Sequence, residues 1–306
     1  MPTATHLDSA IPAFTLAPEK KAAAPKPAGT PATPNFINDV AAGKVELPMI
    51  PRVVQKLLVV LRDPDVDARK VTEALSQDPV LSAKVLRLAN SAFFGGQRSM
   101  ASIDAAVALI GMQALNRLIV ACGVASSFSD IPGVDMPTFW RDALVAATAA
   151  NRMASRLEAD AEEAYVCGLL HATGHLILCH TYPEIADAMF KGFDVLRGAD
   201  LAQVESESFG IDHPTVGGLW AETIGFPQAV ADTIRKSAQP PADNDKPLDL
   251  ALRAGCALAT AVARKDDAAT AFAAQPPRVQ AKFGATQPDS AFDRLHDALQ
   301  ETQPTI

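Results

Sequence analysis

Aromatic residues are scarce in this chain of 306 residues: they make up 6% of it, with only two Trp and two Tyr. Core packing must therefore come mainly from Leu, Val, Ile and Ala, which dominate a hydrophobic share of 48%. Because Ala and Leu have high helix propensity, this composition favours a helical fold. The length fits either two subdomains or one large helical domain with tails.

An excess of positive charge is also lacking, since the formal net charge is -8. Proteins that coat nucleic acid neutralise phosphates with clustered Lys and Arg, so a nucleic acid partner is not expected. There is no run of about 18 or more uninterrupted apolar residues, as a membrane span would require. The N-terminus has no basic start followed by an apolar segment, as a secretory signal would have. These observations predict a cytoplasmic protein without a membrane span.

Cysteine is rare, and no Cys-x-x-Cys pair occurs that would suggest a zinc ribbon or a redox motif. Cys122, Cys167, Cys179 and Cys256 are widely spaced and lie in apolar runs. We interpret them as reduced core residues rather than nucleophiles or metal ligands.

Two shifts in composition divide the chain. Residues 1–35 are rich in Ala, Pro and Thr without an apolar period, which predicts a disordered tail. Residues 238–247 are rich in Pro, Asp and Asn and predict a loop before further helix. We therefore expect a main domain at 40–238 and a C-terminal helical extension at 248–306, which either packs back or presents an interface.

Between these two segments the sequence predicts one helix after another, and several of these helices have recognisable start signals. Asp78 with Pro79, Ser102, and Asp212 with Pro214 each suit an N-cap or first turn. Gly111 is expected to end a helix, and alanines at 143–150 would allow close helix approach. No sustained period-two run occurs, so the sequence predicts an all-α fold with two packed helical subregions.

Several segments together resemble the HDOD-domain family, a degenerate relative of the HD phosphohydrolases. The resemblance rests on residues 47–51 (LPMIP), 78–95 (DPVLSAKVLRLANSAFFG), 102–107 (SIDAAV), 109–111 (LIG), 139–141 (FWR), 164–171 (AYVCGLLH) and 212–213 (DH) with Gly217. It covers about 45–238 and implies a compact all-helical domain of bacterial signalling proteins. It also implies that catalytic activity is generally not expected.

The positions that would carry HD chemistry are altered. An active site of that kind combines a first His, an adjacent His-Asp pair and a later Asp to hold divalent metal, which activates water. By resemblance, the first His is replaced by Asp142, and the pair survives as His171 followed by Ala172. Asp142, His171 and His175 are only weak metal candidates, because His171 and His175 would share a helix face only if Gly174 does not break the helix. We predict no metal and no cofactor.

Four further residues are candidates for ligand or partner contacts: His175, His213, Asn90 and Arg98. Each also has a structural interpretation. His213 lies at a helix start, Asn90 can stop a helix by adopting left-handed geometry, and the Phe pair before Arg98 suits a core. Arg98 otherwise belongs to a loop with two glycines that a partner protein could contact.

The leading hypothesis is a non-catalytic regulatory module, a pseudoenzyme of the HD phosphohydrolase superfamily, that acts through signalling proteins as partners. One alternative is residual metal-dependent phosphodiesterase or phosphohydrolase activity on a nucleotide. Another is a degenerate pocket that senses a nucleotide or other small ligand.

Overall fold

The structure, a computed structural model, describes residues 35–60, 68–91, 100–128, 131, 133–190, 198–284 and 291–301. These residues are predominantly helical, and no strand occurs among them. The predicted all-α fold is confirmed. The predicted tail lies outside the described residues apart from Asn35, and so does Arg98.

The helices follow one another in this order along the chain: α1 (Phe36–Ala41), α2 (Arg52–Val60), α3 (Ala68–Ser76), α4 (Pro79–Ala89), α5 (Ile103–Ala125), α6 (Met136–Leu157), α7 (Ala161–Leu170), α8 (Thr173–Thr181), α9 (Pro183–Phe190), α10 (Gly198–Phe209), α11 (His213–Thr223), α12 (Gln228–Ile234), α13 (Pro247–Arg264), α14 (Ala268–Ala273), α15 (Pro277–Phe283) and α16 (Ala291–Glu301). The short helices α1, α9, α14 and α15 were not expected from the sequence.

Predicted helix starts are confirmed where a side-chain cap was recognised. Asp78 accepts a hydrogen bond from the Leu81 amide at 2.9 Å, and Ser102 caps α5 in the same way. Asp212 rather than His213 is the N-cap of α11. Each cap satisfies an amide that the first helical turn leaves without a partner.

Gly111 ends the first helical segment of α5, as predicted. Its φ of 81° and ψ of 165° are non-helical, and α5 consists of two helices that meet at a kink there. Within the described residues, α5 is long and apolar enough to pass a length and composition test for a membrane span. However, its second half supplies buried residues from Leu115 to Ala125 to the core, which accounts for its apolar character.

Helix α6 lies at the centre, with α7 and α13 packed along it. Gly168 of α7 lies against the Ala147 backbone, and Gly255 of α13 lies against the Ala150 backbone; in both places a Cβ atom would come closer than 3 Å. The predicted close helix approach at the alanine-rich segment of α6 is therefore confirmed.

Buried side chains form two hydrophobic clusters, which matches the prediction of two packed subregions. The larger cluster is built mainly from α2–α12, and the smaller one joins the second half of α6 to α13–α16. Within it, Phe292 contacts the rings of Phe272 and Phe283. The C-terminal helices thus pack back onto α6.

Candidate functional site

One cavity of about 390 Å³ collects most of the residues singled out in the sequence. Asp142, His171, Ala172, His175 and His213 all line it. They come from α6, from the turn between α7 and α8, from α8 itself and from the start of α11. Residues far apart in the chain therefore meet at one place, as the family resemblance implied.

The turn between α7 and α8 presents His171 and Ala172. Helix α7 ends at Leu170 and α8 begins at Thr173, so His171 and His175 do not share a continuous helix. The Nδ1 atom of His171 lies 2.7 Å from the Gly168 carbonyl oxygen. Because a carbonyl oxygen only accepts, Nδ1 of His171 carries a proton and donates this hydrogen bond.

Gly174 brings α8 and α11 into contact. A Cβ atom at this position would lie 2.1 Å from the His213 carbonyl oxygen and 2.6 Å from the Gly217 amide nitrogen. Only a residue without a side chain permits this approach. As a result, His175 of α8 and His213 of α11 face the same buried carboxylate.

That carboxylate belongs to Glu205 of α10, which is 0% exposed. Its Oε1 accepts a hydrogen bond from Nδ1 of His175 at 2.6 Å. Its Oε2 accepts from Nδ1 of His213 at 2.6 Å and from the His213 backbone amide at 2.8 Å. We call His175, Glu205 and His213 the His–Glu–His cluster. The backbone contact also places a negative charge at the N-terminus of α11, which the helix dipole favours.

Burial and hydrogen bonding shift the pKa values of His175 and Glu205 in opposite directions. Burial by itself lowers the pKa of His175, but the hydrogen bonds to Cys179 and Glu205 and the nearby Glu205 charge raise it to about 10. Burial by itself raises the pKa of Glu205, but the charge of His213 and the hydrogen bonds to both histidines lower it to about 2. The cluster therefore holds a buried ion pair at neutral pH, stabilised by charge-assisted hydrogen bonds.

The donor set of the cavity does not fit a catalytic divalent metal. Ala172 offers a methyl group where a carboxylate ligand would be needed, and both Glu205 oxygens already accept hydrogen bonds from the histidines. Asp142 accepts hydrogen bonds at 3.1 and 3.2 Å from the guanidinium of Arg141. Within the described ranges, no cluster of three His, Cys, Asp or Glu side chains is arranged to bind a metal ion.

Asn90 does not line this cavity. Its amide nitrogen donates to the Met100 carbonyl oxygen at 2.9 Å, and its Oδ1 accepts from the Met100 amide at 2.6 Å. Asn90 also caps α4 in right-handed geometry, with φ of -80° and ψ of -3°. The expected left-handed conformation was therefore wrong, and the side chain instead pairs with the backbone of Met100.

Two contributors to the site were missed in the sequence. Glu205 has a recognisable signal: it follows Leu201 by four residues and precedes Phe209 by four, so it lies on the buried face of α10. A buried carboxylate on an apolar face requires partners, and histidines are among the side chains that supply them. The second contributor is α13, which supplies Cys256, Ala259 and Thr260 to the cavity wall. Cys256 is thus half-buried, whereas the other three cysteines lie in the core as predicted.

Comparisons with known proteins agree with this architecture. The family model described as HDOD domain matches residues 47–240. An uncharacterised protein of Treponema pallidum (strain Nichols) is 24% identical over 192 residues, which are 62% of this chain and 37% of that protein. The chain therefore spans little more than a third of the length of that curated relative.

Solved structures show the same fold. A candidate phosphohydrolase from Shewanella amazonensis SB2B is 28% identical, with a TM-score of 0.67 over 87% of this chain and 93% of that one. A candidate signal transduction protein from Marinobacter aquaeolei VT8 is 22% identical, with a TM-score of 0.63 over 89% of this chain and 61% of that one.

Proposed function

Because the chain belongs to the HDOD-domain family, within the HD phosphohydrolase-like superfamily, we propose that it is a non-catalytic regulatory module that acts through protein partners in bacterial signalling. The observation that carries this proposal is the His–Glu–His cluster. Its carboxylate and histidine Nδ1 atoms bond to one another, beside a methyl group at Ala172.

Hydrolysis of a phosphoester at an HD-type site depends on a metal that activates water and polarises a phosphoryl oxygen. A carboxylate that accepts three hydrogen bonds from neighbouring groups has little lone-pair capacity left for a metal ion. The arrangement instead holds α8, α10 and α11 together. We infer that the His–Glu–His cluster serves to order the domain rather than to hold a metal.

The non-catalytic part of the proposal is tested by metal analysis of the purified full chain and by hydrolysis assays on nucleotides. We expect substoichiometric metal and no hydrolysis above a protein-free blank, with His171→Ala indistinguishable from the natural chain. Hydrolysis that depends on added Mg²⁺ or Mn²⁺ and disappears in His171→Ala would overturn it in favour of a residual phosphohydrolase.

The partner part is tested by affinity capture of the tagged full chain at its natural expression level, with the tag alone as control. We expect at least one signalling protein that is enriched reproducibly and that binds again when both proteins are purified. If no captured protein binds in the purified system, the partner part of the proposal is wrong.

The cavity itself favours a second candidate function, the sensing of a nucleotide or another small polar ligand. Its volume of about 390 Å³ falls in the range of small-molecule sites, and His171, Ser237 and Thr260 give its wall polar groups. A ligand that binds only the folded state raises the melting temperature in proportion to the logarithm of its concentration. A saturable shift with a nucleotide that is lost in His171→Ala would support this candidate, and no shift across a nucleotide panel would refute the sensing of a nucleotide.

A further inference from the structure

A groove with a volume of about 360 Å³ lies between α5, α7 and the start of α12. It shares no lining residue with the first cavity. Of the apolar residues that line it, Val120 and Val230 are buried, Val166 and Phe226 are half-buried, and Pro227 is exposed. The groove therefore leaves apolar surface in contact with solvent. Contiguous apolar surface of this kind is typical of places where a partner binds.

Carboxylates dominate the charge on the α7 side of this groove. Glu162 and Glu163 line it, and Asp160 caps the same helix. Among the described residues that line the groove, only Arg117 is a cation. Its Nε atom donates to the two carboxylate oxygens of Glu162 at 3.2 and 3.0 Å. Because Arg117 is already paired, the net charge on this side is negative.

Glu163 differs from Glu162 in its pairing. Within the part of the chain that the structure describes, the Glu163 carboxylate accepts no hydrogen bond and forms no ion pair. Partial burial, together with the nearby Asp160 charge, raises the pKa of this carboxyl group. A cation placed beside it would offset both effects. Val166 follows three residues later on the same face of α7, so an unpaired carboxylate adjoins the apolar wall.

The α12 side of the groove carries the same sign of charge. Gln228, which follows Pro227, donates hydrogen bonds to Glu222 at 2.7 Å and to Asp232 at 3.0 Å. Arg235 forms ion pairs with both of these carboxylates. One guanidinium thus faces two carboxylates, and a segment bound in the groove would meet negative charge on the α12 side as well as on the α7 side.

We propose that this groove is the docking site for the protein partner, and that it takes a segment in which a large apolar side chain stands next to a Lys or Arg. The inference rests on the proposed function, because it names the surface through which such a partner is bound. The apolar side chain packs against Val166 and Phe226, and the cation pairs with the Glu163 carboxylate. Peptide recognition commonly combines an apolar anchor in a groove with complementary charge beside it.

The test begins with a displayed library of short random peptides, selected on the full chain in the presence of excess soluble Val166→Lys variant. We expect the enriched peptides to share a large apolar residue next to a Lys or Arg. One of them, made synthetically, should shift the NMR signals of the Val120, Val166 and Val230 methyl groups. No enrichment, enrichment of acidic peptides, or shifts confined to residues of the first cavity would overturn the proposal.

Three variants, each checked for a cooperative thermal transition, are then titrated with that peptide. Glu163→Gln should weaken binding about threefold, and less at high salt, because salt screens an exposed ion pair. Val166→Lys should weaken binding on the order of tenfold or more, since it removes an apolar contact and adds a like charge. Val262→Lys, at a half-buried valine of α13 outside the groove, is the matched control and should bind normally. Equal binding by the two Lys variants, or by Glu163→Gln and the natural chain, would refute the assigned contacts.

A partner identified by affinity capture separates this inference from the proposed function. We expect the purified partner to bind Val166→Lys more weakly than Val262→Lys. If it binds both variants as tightly as the natural chain, the docking site is wrong while the regulatory role stands. If no captured protein binds in the purified system, the proposed function fails and the docking site fails with it.

Discussion

Replacement of Glu205 by glutamine probes the His–Glu–His cluster with a minimal change of shape. Glutamine keeps one acceptor oxygen but places an amide donor where Oε1 or Oε2 accepts an N–H from His175 or His213. Two donors then face each other in a site that is 0% exposed. Removal of one partner from a buried ion pair typically costs about 3 to 5 kcal/mol. Since glutamine retains one acceptor, we expect a loss of about 3 kcal/mol.

The chain provides a matched control on the same helix. Glu207 is exposed and accepts only a surface hydrogen bond from Gln203. Glu207→Gln should therefore change the free energy of unfolding by less than about 0.5 kcal/mol. Chemical denaturation at pH 7 measures both variants, and a thermal scan should show Glu205→Gln melting roughly 6 to 12 °C below the natural chain. Equal stability of the two variants would refute the claim that the cluster holds the helices together.

The difference in the free energy of unfolding between the natural chain and Glu205→Gln should also depend on pH, in a direction that the two pKa shifts determine. The pKa of His175 rises from 6.5 to about 10, so its contribution is complete below pH 6.5 and is lost as the pH rises toward 10. The pKa of Glu205 falls from 4.5 to about 2, so its contribution is complete above pH 4.5 and is lost as the pH falls toward 2. The stability difference between the natural chain and Glu205→Gln should therefore be largest between these limits. A difference that is constant from pH 3 to pH 10 would contradict this reasoning.

Three other substitutions test the packing around the site, each by chemical denaturation. Gly174→Ala forces a methyl group against the α11 backbone and should cost about 3 kcal/mol. Gly217→Ala lies across the same contact, but its Cβ would meet a side-chain methyl at 3.3 Å and backbone atoms only at 3.5 Å or more, so it should cost clearly less. Asp249→Ala leaves a buried threonine hydroxyl and a lysine without their acceptor and should cost about 3 kcal/mol, while Asp232→Ala, at the surface, should cost under about 1 kcal/mol. Asn90→Ala removes both hydrogen bonds between this side chain and the Met100 backbone and should cost about 2 kcal/mol. A smaller loss of stability from Gly174→Ala than from Gly217→Ala would contradict the packing described, and so would equal losses from Asp249→Ala and Asp232→Ala. An unchanged denaturation midpoint in Asn90→Ala would also contradict it.

The local parts of the fold were predictable because their causes lie within a few residues. Asp78 and Asp212 cap helices through amides three residues onward, and Pro79 and Pro214 lie in the first turns of these helices. The fold class followed from the absence of period-two patterns. Gly111 likewise interrupts the helix where the sequence predicted, because glycine adopts a φ of 81° without the steric penalty of a side chain.

The site was predictable in part. The family resemblance placed Asp142, His171 and Ala172 together, and the structure brings all three to one cavity. The family resemblance did not include Glu205. Its partners His175 and His213 lie 30 residues before it and eight residues after it. Pairing at such separations depends on how α8, α10 and α11 pack. The spacing of Glu205 from Leu201 and Phe209 marked it as buried, but only the fold identifies its partners.

The position of α13 affects how proteins of this family should be compared. Cys256, Ala259 and Thr260 form part of the cavity wall, yet they lie beyond residue 240, where the family match ends. Two homologues can therefore share every family motif and still enclose differently shaped cavities. A chimera that exchanges only residues 247–301 between two such proteins would exchange that wall while the motif residues stay in place. Selectivity for ligands can in this way diverge without any change in the segment by which the family is recognised.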